Sequence, residues 1–195
     1  MGLKLNATNG GGSVELDVPD TVNSDLALTV PAAAGTIDRL ERAGNILQVV
    51  MAEDDTHADL TTTTYEDTNL SASITPSSTS SKILVIIDHH AQLTRSSNSG
   101  FAGIRILRDS TVIFTPITDN TGPFDIGYST GGATSIGAWF SHSRTVLDSP
   151  NTTSSVTYKT QGRVYNGTST DRLRLNASGN VQNGSSRIIL MEVAA

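Results

Sequence analysis

The sequence contains no cysteine, few basic residues and few aromatic ones. Without cysteine, the chain has no disulfide framework, no thiol nucleophile and no thiolate ligand for zinc or an iron–sulfur cluster. Its 13 Lys and Arg stand against 19 Asp and Glu, which gives a formal net charge of -6. A nucleic-acid partner requires a basic face that displaces counterions from phosphates. The composition therefore argues against binding to DNA or RNA.

Long apolar runs are missing as well. No segment approaches the roughly 20 consecutive apolar residues that a membrane-spanning helix requires, so we expect no membrane insertion. The first residues, MGLKLNATNGGG, have neither the charged nor the apolar region of a signal peptide. These features predict a soluble chain made in a cytosol.

Residues that build surface helices are scarce, with 5 Glu and 3 Lys in the whole chain. In their place stand 23 Ser, 26 Thr, 12 Asn and 17 Gly. Apolar residues alternate with these polar ones, which is typical of half-buried strands and not of disordered chains. The composition therefore predicts an all-β protein.

From Ile46 onward, candidate strands alternate with turn sequences such as Asp109-Ser110 and Asn183-Gly184. Strands in this number, within about 150 residues, predict a sandwich or a jelly roll. Arg105–Ile113 is the clearest hairpin. The predicted strands are Ile46–Ala52, Tyr65–Ile74, Lys82–Thr94, Phe101–Arg108, Thr111–Pro116, Ala133–Ser143, Ser154–Gln161, Asp171–Asn176 and Arg187–Val193.

Residues 1–45 form a predicted arm, separate from a head at residues 46–195. The arm begins with a tail at residues 1–12, continues with strands at Val14–Val18 and Leu26–Val30, and ends with one short helix from Thr36 to Gly44. These segments expose apolar positions without a partner in the chain, so we expect them to pack against other copies or another protein. The candidate contacts are Leu3, Leu5, Val14, Leu16, Val18, Leu26, Leu28, Val30, Ile37 and Leu40.

Two adjacent histidines, His89 and His90, follow the apolar run Ile83–Ile87. In a strand they point to opposite faces, so they cannot bind one metal ion together. Hydrogen-bonded structural histidines are the default interpretation. The alternative places one of them on a threefold axis, where three copies bind an anion or a metal. Because the run fits a strand buried on both faces, Val85, Ile87 and His89 are the candidates for such an axis.

Catalytic motifs are not found. The chain lacks Gly-x-Ser-x-Gly, Ser-x-x-Lys and His-Glu-x-x-His, and Gly131-Gly132 is not followed by the Lys of a phosphate loop. We therefore expect no cofactor and no enzymatic activity. Trp139, next to Phe140 in a strand, is expected to pack in the core. The acidic segment Glu53–Asp59 is interpreted as a solvated loop, since it lacks the spacing of calcium ligands.

Residues 11–37, GGSVELDVPDTVNSDLALTVPAAAGTI, resemble a recurring segment of bacteriophage tail-fibre and other virion appendage proteins. In that segment, Val-x-Leu-x-x-Pro and Leu-x-Leu-x-x-Pro strands end in Gly-Thr. The remainder is similar to proteins of marine and cyanobacterial phages. The similar stretches are ILQVV (46–50), LSASITPSSTSSKILV (70–85), LRDSTVI (107–113), LDSPNTTSSVTYKTQ (147–161) and IILMEVAA (188–195).

The resemblance implies a homotrimeric virion protein. Its N-terminal stalk, residues 1–45, would attach to other phage proteins of the tail or capsid and trimerise, and its jelly-roll head would be similar in plan to tumour-necrosis-factor-like trimers. The leading function is a tail-fibre type projection that contacts a host-surface glycan through head loops at Ser96–Gly100, Thr118–Gly132 and Asn176–Ser186. The alternatives are a trimer that decorates the capsid and a soluble trimeric lectin.

Overall fold

The computed structural model describes residues 3–6, 13–16, 42–95, 99–116, 118–119, 122–123, 125–129, 136–165, 171–176 and 184–195. The chain divides into two compact units, Met1–Asp38 and Arg39–Ala195. Every regular secondary-structure element among the described residues is a β-strand. The protein is therefore all-β, as its composition predicts.

The first unit contains an antiparallel hairpin. Strand β1 (Leu3–Asn6) pairs with β2 (Ser13–Leu16), with Leu3 opposite Leu16 and Leu5 opposite Val14. Residues 3–6 are thus a strand and not part of a tail. Strand β2 pairs with β1 and not with the predicted strand at Leu26–Val30; that its apolar side chains pack against other copies or another protein stays a prediction. The other arm predictions lie outside the described residues: the strand Leu26–Val30, most of the helix from Thr36, and the contacts Val18, Leu26, Leu28, Val30, Ile37 and Leu40.

The second unit holds the remaining described strands. They are β3 (Ile46–Asp54), β4 (Ala58–Leu60), β5 (Glu66–Ile74), β6 (Lys82–Arg95), β7 (Ser99–Arg108), β8 (Thr111–Phe114), β9 (Thr118–Asp119), β10 (Gly122–Pro123), β11 (Ile126–Ser129), β12 (Ile136–Asp148), β13 (Val156–Val164), β14 (Arg172–Leu175) and β15 (Ser186–Val193).

A six-stranded antiparallel sheet is organised around β6. One edge of β6 pairs with β12 from Ile83 to Arg95. The other edge pairs first with β15, along Lys82–Asp88, and then with β14, along residues 91–94. Strand β3 lies outside β15, and β4 lies outside β14. Both edges of β6 are therefore hydrogen-bonded over almost the whole strand.

A five-stranded antiparallel sheet contains β5, β13, β7 and β11 in that order. Strand β8 pairs with the end of β7 that β11 leaves open. The short strands β9 and β10 pair with each other. The two larger sheets pack through their inner faces, which is the arrangement of a β-sandwich.

The core has the period of two that strands impose. In β6 the side chains of Ile83, Val85 and Ile87 are fully buried, whereas their neighbours Leu84 and Ile86 are only partly buried. The same alternation occurs in β13 and β15. Buried side chains from the two larger sheets form one hydrophobic cluster. The inner faces therefore form a single core.

Each predicted strand from Ile46 onward overlaps an observed one, and the hairpin Arg105–Ile113 is confirmed by the pairing of β7 with β8. Asp109 takes the left-handed conformation at its turn, with φ of 51°, and Gly44 does so ahead of β3, with φ of 88°. The sequence patterns missed β4, β9, β10 and β11. These strands have two to four residues, too few to show an alternation.

Asp148 joins the two sheets at the end of β12. Its Oδ2 atom accepts hydrogen bonds from Arg108 Nη1 in β7 at 2.6 Å and from the Tyr158 hydroxyl in β13 at 2.8 Å. Burial and the hydrogen bond to Asp148 raise the pKa of Tyr158. The phenol therefore keeps its proton and its role as a donor.

Glu192 fixes the loop between β5 and β6. Its carboxylate accepts hydrogen bonds from the Ser77 amide (2.7 Å), the Ser77 hydroxyl (2.6 Å) and Gln48 Nε2 (2.6 Å). Burial by itself raises the pKa of this carboxyl, but the hydrogen bonds from Ser77 and Gln48 outweigh it and lower the pKa to about 2. Gln48 Nε2 also donates to the Thr75 carbonyl at 2.7 Å. One ionised side chain thus holds β3, β15 and the loop together.

We predict that Glu192→Gln lowers the free energy of unfolding by about 2 to 3 kcal/mol at neutral pH, because a neutral amide replaces a charged acceptor of several donors. Urea unfolding followed by circular dichroism measures this loss. Glu66→Gln, at an exposed position of β5, is the matched control and should change stability by less than about 0.5 kcal/mol. Equal effects of the two substitutions would contradict the role given to Glu192.

Candidate functional site

The outer face of the five-stranded sheet is polar along β5 and β13, and its polar side chains bind one another. Lys159 Nζ lies 2.9 Å from Asp67 Oδ2, and Gln161 Nε2 donates to Asp67 Oδ1 at 2.6 Å. Arg105 donates to Gln161 Oε1 from Nε (2.8 Å) and from Nη2 (2.6 Å). The hydrogen bonds from Gln161 and Lys159 lower the pKa of Asp67. This face is therefore suited to contact with water.

The outer face of the six-stranded sheet has the opposite character. Register across its strands places Val49 of β3 beside Met191 of β15, Met191 beside Leu84 of β6, and Leu84 beside Leu147 of β12. Cross-strand partners lie on the same face of a sheet. This row therefore carries apolar side chains across four strands.

Two further rows extend the same surface. One places Met51, Ile189 and Ile86 beside one another, and the other pairs Val193 with Ile46. Met51 is 62% exposed, Val49 56%, Leu147 54% and Ile46 48%. We call this surface the outer apolar face; its residues are Ile46, Val49, Met51, Leu84, Ile86, Leu147, Ile189, Met191 and Val193.

The proposed axis residues lie elsewhere. Val85 and Ile87 are 0% exposed and His89 is 1% exposed, all three inside the sandwich of a single chain. No surface of theirs is left for another copy, so their assignment to an axis is wrong. The run Ile83–Ile87 is not buried on both faces either. Its even-numbered members point outward, because strand side chains alternate.

His89 is confirmed as a hydrogen-bonded structural histidine. Its Nδ1 atom lies 3.0 Å from Ser186 Oγ, and its Nε2 atom lies 3.0 Å from Thr160 Oγ1. Ser186 donates its own proton to Asn176 Oδ1 at 2.7 Å. Ser186 must therefore accept from Nδ1–H, which leaves Nε2 to accept from the Thr160 hydroxyl. The ring is neutral in this arrangement.

The chain of hydrogen bonds continues to the edge of the sheet. Asn176, which follows β14 with φ of 53°, donates from Nδ2 to Asp54 Oδ2 (3.0 Å) and to the Thr56 carbonyl (3.2 Å). We call Thr160, His89, Ser186, Asn176 and Asp54 the buried polar chain. It connects the five-stranded sheet, through the interior, to the turn between β3 and β4.

A serine beside a histidine has the residue types of an acyl-transfer site. Ser186 and His89 are each 1% exposed, however, and the serine proton is held by Asn176. Burial, with a smaller contribution from the nearby His142, lowers the pKa of His89 to about 3. The buried polar chain therefore stabilises the fold and presents no nucleophile to solvent.

Asp125 accepts hydrogen bonds from Arg144 of β12 and lies beside His142 of the same strand. Its Oδ2 atom is 3.2 Å from His142 Nε2 and 3.3 Å from Arg144 Nη2, while its Oδ1 atom accepts from the Ile104 amide of β7 at 3.2 Å. Both carboxylate oxygens are therefore engaged. Since these contacts reach both sheets, we interpret Asp125 as a second polar link between them.

His90 and Trp139 lie on the outer face of the six-stranded sheet. Their ring centroids are 5.4 Å apart, and Trp139 is 40% exposed. The expectation that Trp139 packs in the core is therefore wrong. The register places Trp139 beside Gln92 of β6. A charged row, in which Arg187 lies between Glu53 and Asp88, lies between this pair and the outer apolar face.

The acidic segment Glu53–Asp59 is not simply a solvated loop. Strand β3 runs to Asp54, and Asp59 lies within β4. The Asp59 carboxylate is 3.2 Å from Arg174 Nε and 3.4 Å from Arg172 Nη1. Asp59 thus pairs with bases of the neighbouring strand β14, and Glu53 pairs with Arg187 of β15.

In the part of the chain that the structure describes, no group of three or more His, Asp or Glu side chains is placed to hold a metal ion. No helix found there is long and apolar enough to span a bilayer. The predicted receptor loops lie partly outside the described residues, at 96–98, 120–121, 124, 130–132 and 177–183. The described part of Thr118–Gly132 contains β9, β10 and β11, and Ser99–Gly100 begins β7, so these stretches are strands and not loops.

Known proteins match this chain in comparisons of structure but not in comparisons of sequence. No family model and no curated protein matches the sequence. A chain from a structure of infectious bursal disease virus, Gx strain, is 14% identical with a TM-score of 0.31, covering 98% of this chain and 45% of that one. The corresponding values for the Gt strain are 14%, 0.29, 98% and 47%. This chain thus spans about half the length of the structures it matches.

We predict that His89 makes folding sensitive to mild acid. The unfolded imidazole binds a proton near its ordinary pKa of 6.5, whereas the folded one resists protonation until about pH 3. Stability is therefore complete above about pH 6.5 and falls as the pH is lowered from there toward 3, by about 2 kcal/mol between pH 7.5 and pH 5.

Urea unfolding of the native protein and of His89→Gln at these two pH values measures the effect, because glutamine retains a donor and an acceptor but does not titrate. The variant should lose the part of the pH dependence that comes from His89. His57→Gln, at an exposed position, should retain it. If His89→Gln kept the full pH dependence, the buried neutral imidazole would not be its source.

Proposed function

We propose that this chain is a non-enzymatic structural protein of a bacteriophage virion, forming trimeric fibre-like projections of the tail-fibre type. The observation that carries the proposal is the strand order of the second unit. Strands β3, β15, β6 and β12 follow one another in one sheet, and β5, β13, β7 and β11 in the other. The chain therefore passes repeatedly from one sheet to the other.

This order supports a jelly roll. In that fold, eight strands form two four-stranded antiparallel sheets through two Greek keys. Virion and lectin domains are among the proteins built on this fold, and proteins of unrelated function share it too. The resemblance of residues 11–37 to virion appendage proteins selects the virion role from among these functions.

The division of the chain into two units supports two separate roles, attachment and surface contact. The first unit, Met1–Asp38, contains the hairpin of β1 and β2 and would attach to tail or capsid proteins. The second unit would form the head that faces solvent and contacts a host-surface glycan. Its conspicuous serine–histidine pair is enclosed by the fold, which supports a structural role over an enzymatic one.

We predict that immunogold labelling of intact particles places this chain at the tail. Label spread over the head shell would instead favour the capsid-decorating trimer, and absence from purified particles would contradict the virion role and favour the soluble lectin. Antibody against the second unit serves for detection, with particles assembled without this chain as the control.

A second expected outcome concerns the arm. Deletion of residues 1–45 should abolish incorporation into particles, while the truncated chain retains the circular dichroism spectrum of a β protein. Incorporation at the native level, measured by quantitative immunoblot of purified particles, would show that attachment lies elsewhere in the chain.

A further inference from the structure

We propose that the outer apolar face is the surface through which copies of this chain bind one another. This inference deepens the proposed function, since a projection built from several copies needs a contact between them. The occupant of the face is a second copy of the same chain.

The two outer faces of the sandwich differ in polarity. Both could face solvent, and the five-stranded sheet does so with a network of paired polar side chains centred on Asp67 and Gln161. The six-stranded sheet instead presents one apolar row across β3, β15, β6 and β12 and a second across β3, β15 and β6. An apolar surface that is contiguous across four strands is typical of a site of association.

The residue types match the centre of a protein–protein contact. Such centres are depleted in charged residues and enriched in methionine. Both of the methionines that follow Met1, at positions 51 and 191, lie on this face. Charged residues occur at its ends: Lys82 opposite Val193, and Glu53, Arg187 and Asp88 in the row beyond Met51.

The charges favour a second copy as the partner. The whole chain has a formal charge of -6, so two copies repel each other over most orientations. The residues that border the outer apolar face comprise two bases, Lys82 and Arg187, and two acids, Glu53 and Asp88. Glu53 and Arg187 also pair at 3.4 Å. This border has no net charge and contains both signs, so two copies that meet here add no local repulsion and can pair a base of one with an acid of the other.

Variants with a new charge test the contact. Met51→Lys and Leu147→Lys each place an ammonium on an exposed position of the face, where the isolated chain tolerates it and an assembled one does not. Val112→Lys is the matched control, because Val112 is an exposed apolar residue (41%) on β8 of the other sheet.

Size-exclusion chromatography with light scattering gives the readout. The native chain and Val112→Lys should form an assembly, with a trimer at three times 20.5 kDa. Met51→Lys and Leu147→Lys should raise the dissociation constant at least about 100-fold while keeping the β spectrum. A native chain that is monomeric at high micromolar concentration, or assembly unaffected by both variants, would overturn the proposal.

A second measurement decides the case in which the charged variants fail to fold. Because the chain has no cysteine, Met51→Cys and Val112→Cys each introduce one thiol that maleimide can label under native conditions. The thiol at position 51 should react at least about 10-fold more slowly than the one at position 112, since it lies inside the contact. Equal rates would place position 51 in solvent and refute the contact.

This inference and the proposed function can fail independently of each other. Particles that lack the chain would refute the virion role, yet a protected thiol at position 51 would still establish self-association through this face. Conversely, labelled particles with an equally reactive thiol at position 51 would support the virion role and refute this contact.

Discussion

The arrangement of the second unit depends on the alternation of side chains along β6. This strand lies in the middle of the six-stranded sheet, with both edges hydrogen-bonded to neighbours. Its odd-numbered apolar residues supply the core, and its even-numbered ones, Leu84 and Ile86, supply the centre of the outer apolar face. Because a strand turns successive side chains to opposite faces, one uninterrupted apolar run serves both surfaces.

The polar interior follows from the same constraint. The inward position after Ile87 belongs to His89, so a titratable ring lies between the sheets. An unpaired polar group there would be costly, and hydroxyls from β13 and β15 satisfy both ring nitrogens. Ser186 donates a hydrogen bond to Asn176, and Asn176 donates one to Asp54. His89 is therefore connected to both sheets and to the end of β3. Its role in the fold is to order the interior, and burial keeps it neutral.

The two outer faces of the second unit differ in polarity, and the self-association that we propose depends on this difference. One outer face is closed by its own hydrogen bonds, and the other is apolar and bordered by charges that cancel. A virion projection assembled from several copies uses such a surface, whereas a protein that acts alone in water has no need of it.

The sequence by itself determined the fold class, most strand positions and the β7–β8 hairpin. These depend on local rules: alternation, β-branched residues, and turn residues such as Asp109 that accept a positive φ. It also indicated that His89 and His90 point to opposite faces, a consequence of strand period alone.

Only the tertiary structure decided which face of each strand is inside. The sequence predicted a surface axis at Val85, Ile87 and His89, but these side chains are buried. It predicted a core position for Trp139, which is exposed. An apolar run such as Ile83–Ile87 has no polar member to mark its outer face, so its pattern is the same in either orientation. The choice depends on the partners across the sheet, Met191 and Leu147 beside Leu84, which are distant in sequence and meet only when β12 and β15 pair with β6.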